Sequence, residues 1–350
     1  MNIRILKSLH IKFQNLRCLM IEVWTEKYRP RVLAEIKGQD DIMSRLQAFV
    51  TTKNFPHLLF TGPAGIGKTT AALAMAHELY GDTWRDNILE LNASDARGID
   101  VIRGAVKDFA RTRAMEDVPF KVIYLDESDA LTKEAQDALR RIMEDYVQTT
   151  RFILSCNYSS KIITPIQSRC AIFRFKPLAK GYVEHILKKI AENEGFEIAP
   201  DALELLYEAS EGDMRKAENL LQACAATANV QETSSKQSQG IRVIGPQEVS
   251  KVVSFAEPKE IEAVVKLALD GKFLDAKKRL TDAMIAHGLS GIDVIKQIQK
   301  EVWNLKFDEK IKIDLIRICG ELEFRLVEGA NEFIQLSALL AEFAVVGSRK

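Results

Sequence analysis

The stretch Gly62-Pro63-Ala64-Gly65-Ile66-Gly67-Lys68-Thr69 decides the fold of this chain. It matches the pattern GxxxxGK[ST], in which glycines let backbone N–H groups turn inward around phosphate oxygens. An apolar run at residues 57–60 precedes the motif, and a helical pattern at residues 69–79 follows it. A strand before and a helix after are the context that the motif requires. The sequence therefore predicts a phosphate-binding loop at a helix N-terminus, whose dipole favours negative charge.

Each residue of this loop has an expected role toward ATP and Mg²⁺. The backbone N–H groups cradle the phosphates, Lys68 reaches the β- and γ-phosphates, and the Thr69 hydroxyl binds the metal. Thr70, in the first helical turn, is also expected to contact the nucleotide. The cofactor-binding residues predicted in the loop are Gly62, Pro63, Ala64, Gly65, Ile66, Gly67, Lys68, Thr69 and Thr70.

A second strand supplies the acids that such a loop needs. Residues 121–125 are typical of a buried strand, and Asp126 and Glu127 follow directly. Asp126 is expected to hold Mg²⁺ through water, and Glu127 to polarise the attacking water. Phosphoryl transfer depends on charge neutralisation and water positioning, so these residue types suit ATP hydrolysis. A charge pair at a helix N-terminus is the alternative for two acids after a lone strand. Their place about 60 residues after the loop favours the catalytic interpretation.

Short apolar runs alternate with helical patterns and indicate the fold class. The runs are residues 57–60, 88–91, 121–125, 151–155 and 171–175. This alternation predicts a parallel sheet covered on both faces. After Pro177 the apolar spacing is helical, first in a small domain and again from about residue 258 onwards. Polar residues at 229–245 predict a linker or long loop between these two helical regions.

The composition excludes several classes of protein. The chain has 350 residues, 47% hydrophobic and 28% charged, which is typical of a globular protein of two or three domains. No run approaches the length of a membrane span. Basic and acidic residues number 49 each, which excludes a globally basic nucleic-acid coat but allows a local basic face. The five cysteines are widely spaced, so reduced thiols in the cytoplasm are expected.

Residues 1–20 depart from this average. They contain four Lys or Arg residues and no acid. Lys7 and Lys12 interrupt the apolar core that a secretory signal needs. The favoured interpretation is an appended tail, with Met20 as the functional start. A transit peptide and a basic arm that touches a partner stay open.

Further stretches carry a resemblance to a known family. Asp126-Glu127-Ser128-Asp129 resembles the DEAD form of the Walker B motif of AAA+ ATPases, with serine in place of alanine. Both chemical acids remain, so we expect only a minor effect of Ser128. Other stretches are similar to the boxes of clamp-loader subunits, with the greatest likeness to the small subunit of archaeal replication factor C. They are Trp24-Thr25-Glu26-Lys27-Tyr28-Arg29-Pro30, Leu91-Asn92-Ala93-Ser94-Asp95, Arg140-Arg141-Ile142-Met143-Glu144, Gln167-Ser168-Arg169-Cys170 and Gly212-Asp213-Met214-Arg215-Lys216.

The resemblance, over roughly residues 22–345, implies a fold, an activity and partners. The implied fold is an α/β P-loop (AAA+) core with a parallel sheet, then a small helical lid and an all-helical C-terminal collar. The implied ranges are 1–20 for a basic extension, 21–178 for the core, 179–240 for the lid and 241–350 for the collar. The implied activity is ATP hydrolysis coupled to loading of a sliding clamp. The implied partners are that clamp, a larger subunit, other subunits of a hetero-oligomeric ring and primer–template DNA, with no membrane.

The resemblance also assigns residues around the nucleotide. Those that would border the adenine are Tyr28, Arg29 and Pro30. Asn157 would be sensor 1, and Arg215 would be sensor 2, reaching the γ-phosphate from the lid. Arg169 would be an arginine finger that completes the site of the adjacent subunit. Without the family, the alternatives are a turn residue for Asn157, a surface arginine for Arg215 and a loop salt bridge for Arg169.

A helix predicted from about Asp100 to Arg113 carries a basic stripe. Arg103, Lys107 and Arg111 are spaced i, i+4 and i+8, so they lie on one face, and Arg97 comes just before the helix. Aligned cations in a chain of zero net charge favour a track along DNA phosphates. In related loaders this region lines the chamber that holds primer–template DNA. A solvated helix face is the alternative.

Two other functional classes fit part of the sequence. A mechanical ATPase, such as a branch-migration motor or an unfoldase, usually has an aromatic loop or a winged-helix domain, and no winged-helix pattern follows residue 258. A nonhydrolysing scaffold subunit is disfavoured because Lys68, Thr69 and the two acids are intact. The sequence therefore favours an ATP-switched loader subunit.

Overall fold

The computed structural model describes residues 23–95, 98–112, 114, 120–232, 242–252, 258–304 and 308–348. The basic extension at residues 1–20 and Arg97 lie outside the described residues. The chain divides into two compact units, one reaching to Val249 and the other starting at Ser250. Buried side chains form separate clusters in each unit.

A parallel sheet forms the centre of the first unit. Its strands are β1 His57–Thr61, β2 Ile88–Asn92, β3 Lys121–Asp126, β4 Thr150–Cys156 and β5 Cys170–Arg174. Their order is β2-β3-β4-β1-β5, and every neighbouring pair is parallel. The predicted parallel sheet is therefore confirmed. Because β4 lies between β3 and β1, the carboxyl ends of these three strands lie side by side.

Alternate residues of the strands pack on opposite faces of this sheet. Leu58 and Phe60 join the cluster that contains Met75 of the helix after the phosphate loop. Leu59, between them, joins the cluster that contains Leu139 on the other face. Every residue of β1 is buried. A strand covered on both faces needs apolar residues at each position, which explains its unbroken apolar run.

Helices cover both faces of the sheet. The helices of this part of the chain are α1 Trp24–Lys27, which contacts the lid, and α2 Asp40–Thr51, α3 Lys68–Tyr80, α4 Trp84–Asn87, α5 Ile99–Val101, α6 Lys107–Arg111, α7 Lys133–Asp145 and α8 Thr164–Gln167. Short 3-10 turns occur at Leu33–Glu35, Gly81–Thr83, Ser128–Ala130 and Ser159–Lys161. The helix predicted after the phosphate loop is confirmed as α3. Its N-cap is Gly67, whose φ of 99° is left-handed and suits glycine.

The helix predicted from about Asp100 to Arg113 is not a continuous α-helix. A π-helical segment, Ile102–Val106, separates α5 from α6, and α6 ends at Arg111. Ile102, Val106 and Ala110 are all buried at a spacing of four residues.

Three helices form the predicted lid, namely α9 Lys180–Glu194, α10 Pro200–Ser210 and α11 Met214–Glu232. Two further strands, β6 Phe196–Ile198 and β7 Arg242–Ile244, pair in parallel beside them. The expectation of no strand after Pro177 is thus wrong. Of the linker or long loop expected at residues 229–245, residues 229–232 belong to α11 and residues 242–244 to β7, whereas residues 233–241 lie outside the described residues. Strands of three residues are too short to show an alternating pattern. Helix α12, Pro246–Val252, follows β7.

The described part of the second unit is helical, which confirms the sequence prediction. Its helices are α13 Pro258–Leu269, α14 Phe273–His287, α15 Gly291–Asn304, α16 Glu309–Val327 and α17 Glu332–Gly347. Asn331 caps α17, where its side-chain oxygen accepts a hydrogen bond from the Ile334 N–H at 3.2 Å. A Cβ at Gly347 would lie 1.9 Å from the Leu269 carbonyl oxygen, so glycine permits the close approach of α17 and α13.

Candidate active site

A cavity of about 560 Å³ lies beside the phosphate loop in the first unit. Its lining combines the segment after α1, the loop, the ends of β3 and β4, and lid helices α9 and α11. The structure brings most of the predicted nucleotide residues together here, namely Tyr28, Arg29, Pro30, Ala64, Gly65, Ile66, Gly67, Lys68, Thr69, Thr70, Asp126, Glu127, Asn157 and Arg215. The topology explains this grouping, because ligands of parallel α/β sheets bind at the carboxyl ends of the strands.

Gly62 and Pro63 do not line the cavity, but their carbonyl groups contact Lys68, which does. The Lys68 ammonium donates hydrogen bonds to the carbonyl oxygens of Gly62 at 2.7 Å and Pro63 at 2.6 Å, and to Oδ1 of Asn157 at 3.1 Å. The residue is only 7% exposed. Burial lowers the pKa of Lys68, and the charge of Asp126 opposes that effect. An anionic phosphate is a stronger acceptor for this ammonium than a neutral carbonyl, so the loop fits a phosphate ligand.

Thr69 and Asp126 form the part of the site that suits a divalent cation. The Thr69 hydroxyl donates to Asp126 Oδ2 at 2.8 Å and accepts a hydrogen bond from the Tyr124 hydroxyl at 3.0 Å. Burial raises the pKa of Tyr124, so its phenol stays a proton donor. A hydroxyl and a carboxylate oxygen side by side are the hard ligands that Mg²⁺ prefers. The residues present therefore fit this metal.

The backbone at the end of β3 directs Glu127 into the cavity. Glu127 has a left-handed φ of 50°, and its N–H donates to Asp126 Oδ1 at 2.9 Å. The Glu127 side chain is exposed along the cavity wall. Ser128 is buried, and its hydroxyl donates to the Leu125 carbonyl at 2.8 Å. The Ser128 hydroxyl thus has a hydrogen-bond partner in the backbone, and Asp126 and Glu127 both line the cavity.

The lid contacts the phosphate loop directly through the start of α11. The Met214 N–H, at the start of α11, donates to the Gly65 carbonyl at 2.9 Å. Gly65 has a φ of 65°, and a Cβ there would lie 1.7 Å from Oδ1 of Asp213. Glycine at position 65 is therefore required for this docking. Arg215 comes one residue after the contact and lines the cavity.

The segment around α1 is attached to the lid. The Trp24 ring stacks on Phe196 with a centroid distance of 5.9 Å. The Tyr28 hydroxyl donates to Glu194 Oε1 at 2.6 Å, and Lys27 pairs with the same oxygen at 2.7 Å. Arg29 forms an ion pair with Glu26 at 2.5 Å. These contacts hold Tyr28 and Arg29 along the cavity wall.

Arg169 does not line this cavity. Its guanidinium pairs with Glu144 Oε1 at 2.5 Å and donates to the Pro165 carbonyl at 2.6 Å. The loop salt bridge that the sequence left open is therefore present.

The basic stripe also lies outside the cavity lining. Arg103 and Arg111 are exposed and Lys107 is half-buried. Arg111 donates through Nε to the Tyr146 hydroxyl at 3.2 Å.

Among the residues of the site that sequence reasoning missed, two have polar groups that bear on its chemistry. Tyr124 was visible only as one residue of an apolar strand, although its hydroxyl orients Thr69. Glu218 lines the cavity from α11 and is only 8% exposed. Burial raises the pKa of Glu218 to about 7, despite the opposing charges of Arg29 and Arg215. The sequence did contain one signal for Glu218, because this acid stands between Ala217 and Leu221, which both occupy the buried face of the helix.

Comparison with known proteins decides the family. Replication factor C small subunits from Staphylothermus marinus and Sulfurisphaera tokodaii are each 53% identical over 93% of this chain and 96% of the relative. One from Methanococcus maripaludis is 53% identical over 93% of this chain and 100% of the relative. The chain belongs to the replication factor C small-subunit family. It is therefore an ATPase and a clamp-loader subunit, as its sequence motifs imply.

Three family profiles divide the replication factor C chain in the same order as the fold. The ATPase family associated with various cellular activities (AAA) matches residues 58–178. The RCF1/5-like AAA+ ATPase lid domain matches residues 185–226, and the replication factor C C-terminal domain matches residues 256–342. The predicted order of AAA+ core, lid and helical C-terminal domain is confirmed.

Solved structures include more distant AAA+ relatives. The RuvB Holliday junction branch migration motor of Thermotoga maritima is 22% identical, with a TM-score of 0.54. The match covers 68% of this chain and 80% of that protein. At this identity it shows the fold alone, so it does not favour the alternative of a branch-migration motor. Among the described residues, no helix combines the length and the apolar character needed to cross a membrane.

Proposed function

We propose that this subunit binds ATP and Mg²⁺ in the cavity and uses hydrolysis to switch a ring that loads a sliding clamp onto primer–template DNA. One observation carries the proposal. Lys68 and Thr69 begin the helix that follows β1, Asp126 ends β3, and the Thr69 hydroxyl donates a hydrogen bond directly to Asp126. Charge neutralisation and water positioning are the demands of phosphoryl transfer, and these groups meet them.

The nucleotide is held from three sides. Backbone N–H groups of residues 64–67 and the Lys68 ammonium bind the phosphates. Thr69 and Asp126 hold Mg²⁺, which supplies charge neutralisation when bound. Tyr28, Arg29 and Pro30 border the adenine from the segment that is attached to the lid. This assignment is supported by the presence of all these groups along one cavity.

Three side chains of the same subunit act on the γ-phosphate and the attacking water. Glu127 orients the water and accepts its proton. Asn157, which already accepts a hydrogen bond from Lys68, orients the water from the end of β4. Arg215 binds the γ-phosphate from the lid. Its place depends on the backbone contact between Met214 and Gly65, so docking of the lid and catalysis are coupled.

Arg169 acts on the neighbouring subunit. It lies away from the cavity of its own chain and is about one-third exposed, so a neighbour's γ-phosphate can compete for it. A phosphate carries more negative charge than the Glu144 carboxylate that holds Arg169 here. An arginine supplied in trans stabilises the charge of the transition state. Catalysis therefore requires assembly with other subunits, including a larger one.

The remaining assignments concern DNA, domains and location. Arg97, Arg103, Lys107 and Arg111 are proposed to follow the phosphate backbone of primer–template DNA. The domain limits are proposed as 21–178 for the core, 179–240 for the lid and 241–350 for the collar that joins the ring. Residues 1–20 are proposed as an appended basic extension. The location is proposed as cytoplasmic, in keeping with cysteines that have no disulfide partner among the described residues.

Replacing Glu127 by glutamine tests the proposed catalytic site. The amide removes the charge that polarises water, whereas Lys68 and Thr69 still bind nucleotide. We expect nucleotide affinity close to wild type and nearly complete loss of ATP turnover, with clamp and DNA retained by the stalled assembly. Lys68→Ala is the matched control, since it removes the phosphate contact and should lose affinity itself. Near-normal turnover in Glu127→Gln would exclude Glu127 as the catalytic residue.

A further inference from the structure

A buried acid lies in a cavity that must accept a polyanion. Glu218 is 8% exposed and lines the same cavity as the phosphate loop. Ala217 and Leu221 beside it on α11 are fully buried. The position therefore belongs to the buried face of the helix, where an acid is unfavourable unless charges or donors compensate it. None of the roles assigned above to the loop, the metal site or the attacking water uses this carboxyl.

Two arginines line the cavity together with Glu218, and their charges oppose the cost of burying its carboxylate. Arg215 precedes it by three residues on α11, so their side chains share a helix face. Arg29 approaches from the segment after α1. The positive charges of both arginines stabilise the Glu218 carboxylate. The charge of a single buried carboxyl is thus coupled to one arginine of the lid and to one arginine of the segment that is proposed to border the adenine.

Other charges around Glu218 do not provide a better partner. Asp213, before α11, and Glu26, in α1, are acids and act against ionisation of Glu218. Lys189 of α9 and Lys68 of the loop line the same cavity but are not among the groups that stabilise the Glu218 carboxylate. Burial outweighs the two arginines and raises the pKa of Glu218 to about 7. The charge of Glu218 is therefore balanced near neutral pH.

We propose that Glu218 is a proton-linked residue of this cavity, whose charge Arg29 and Arg215 stabilise in the nucleotide-free subunit and which takes up a proton when the phosphates of a nucleotide engage these arginines. The proton comes from solvent, and no covalent bond changes. The inference rests on the proposed binding of nucleotide in this cavity. It assigns Glu218 an electrostatic role toward both arginines rather than a contact with the reacting atoms.

The direction of the coupling follows from charge. Phosphates add negative charge to the cavity and compete for both guanidinium groups, so each effect disfavours the ionised form of Glu218. Its pKa therefore rises on nucleotide binding, and the complex binds more protons than the free subunit. Affinity must then fall as the pH rises above the pKa of the free subunit. The limit is about tenfold per pH unit, the change for one proton.

Nucleotide binding to the full-length chain as a function of pH tests this. ATP affinity is measured at constant Mg²⁺ between about pH 7 and about pH 8.5, above the phosphate ionisation near pH 6. For wild type we expect affinity to fall by up to about tenfold per pH unit. Glu218→Gln keeps the shape of the side chain but has no proton to exchange. It should show a flat profile and bind more tightly than wild type at the alkaline end.

Glu192→Gln is the matched control. Glu192 is an exposed lid acid that does not line the cavity, so its removal should leave the pH profile of wild type unchanged. A second measurement needs no variant. Calorimetry of ATP binding to wild type, in two buffers of different protonation enthalpy near pH 7.5, should show net uptake of up to about one proton.

The possible results separate the two proposals. Absence of proton uptake by wild type overturns the role of Glu218, as do parallel pH profiles of wild type and Glu218→Gln. An equal loss of affinity at every pH in Glu218→Gln indicates a structural role only and also overturns it. Lys68→Ala in the same assay reports on the site itself. Wild-type affinity in Lys68→Ala would instead contradict the proposed nucleotide site.

Discussion

Gly65→Ala should separate the lid from the phosphate loop. Gly65 has a left-handed φ of 65°, and its carbonyl accepts the Met214 N–H at 2.9 Å. A Cβ at this position would lie 1.7 Å from Oδ1 of Asp213 and 2.1 Å from its Cγ. No rotation of the new methyl group relieves that overlap, because a Cβ position follows from the backbone. The Asp213 side chain has to move, alone or together with the loop and the start of α11.

The expected cost has three parts. A non-glycine residue in the left-handed region costs roughly 1–2 kcal/mol. Loss of the backbone hydrogen bond to Met214 adds about 1 kcal/mol. Asp213 also accepts the Lys216 N–H at 2.9 Å as a cap of α11, and displacement of that cap adds about 1 kcal/mol. We therefore expect the free energy of unfolding to fall by about 3–4 kcal/mol.

Gly195→Ala is the matched control. Gly195 has a φ of 78° at the end of α9, and nothing lies within 4 Å of a Cβ built there. It should show only the backbone cost of roughly 1–2 kcal/mol. Urea unfolding of both variants gives the comparison, and ATP affinity should fall further in Gly65→Ala, since Arg215 follows the displaced contact.

A double variant identifies the clash itself. Asp213→Ala removes the overlapping carboxyl, so this change should cost less in the Gly65→Ala background than in wild type. Equal losses of stability in Gly65→Ala and Gly195→Ala would refute the reasoning, because only the first is crowded. Strict additivity in the double variant would also refute it.

Three further changes test other parts of the molecule. Arg169→Ala should keep ATP binding but lower turnover by about 10³-fold, and mixed rings with Lys68→Ala should regain part of it; no recovery would contradict action in trans. Changing Arg103 and Lys107 together to alanine should flatten the salt dependence of DNA affinity by about 0.9 per lost phosphate contact, and an unchanged slope would leave a solvated face. Burial lowers the pKa of His57 to about 4. Between about pH 6.5 and about pH 4, His57 is therefore protonated in the unfolded chain but neutral in the folded one. Urea unfolding should show stability falling over this interval by up to roughly 3 kcal/mol, and His57→Gln should remove that part of the fall; an unaltered pH dependence would contradict it.

Local pattern was enough to predict the framework of the active site. The strand before the loop is apolar at each position because it is buried on both faces. The glycines around Lys68 sit where φ is positive, and the acids follow a strand directly. Such features depend on neighbours in the chain, so they are visible in one sequence. The order of motifs then implied that Lys68, Asp126 and Asn157 meet, and the strand order brings them to one edge.

The sequence by itself therefore determined the AAA+ core, the phosphate loop, the acids of β3 and the helical character of the C-terminal unit. Only the tertiary structure decided the pairing of β6 with β7, the docking of Asp213 on Gly65, the salt bridge of Arg169 with Glu144, and the burial of Glu218 in the lining of the cavity. Each of these joins residues with no shared local pattern. Burial and charge at such contacts depend on which surfaces of the fold meet. The periodicity of apolar residues indicates only that a side chain faces inward, not what it contacts.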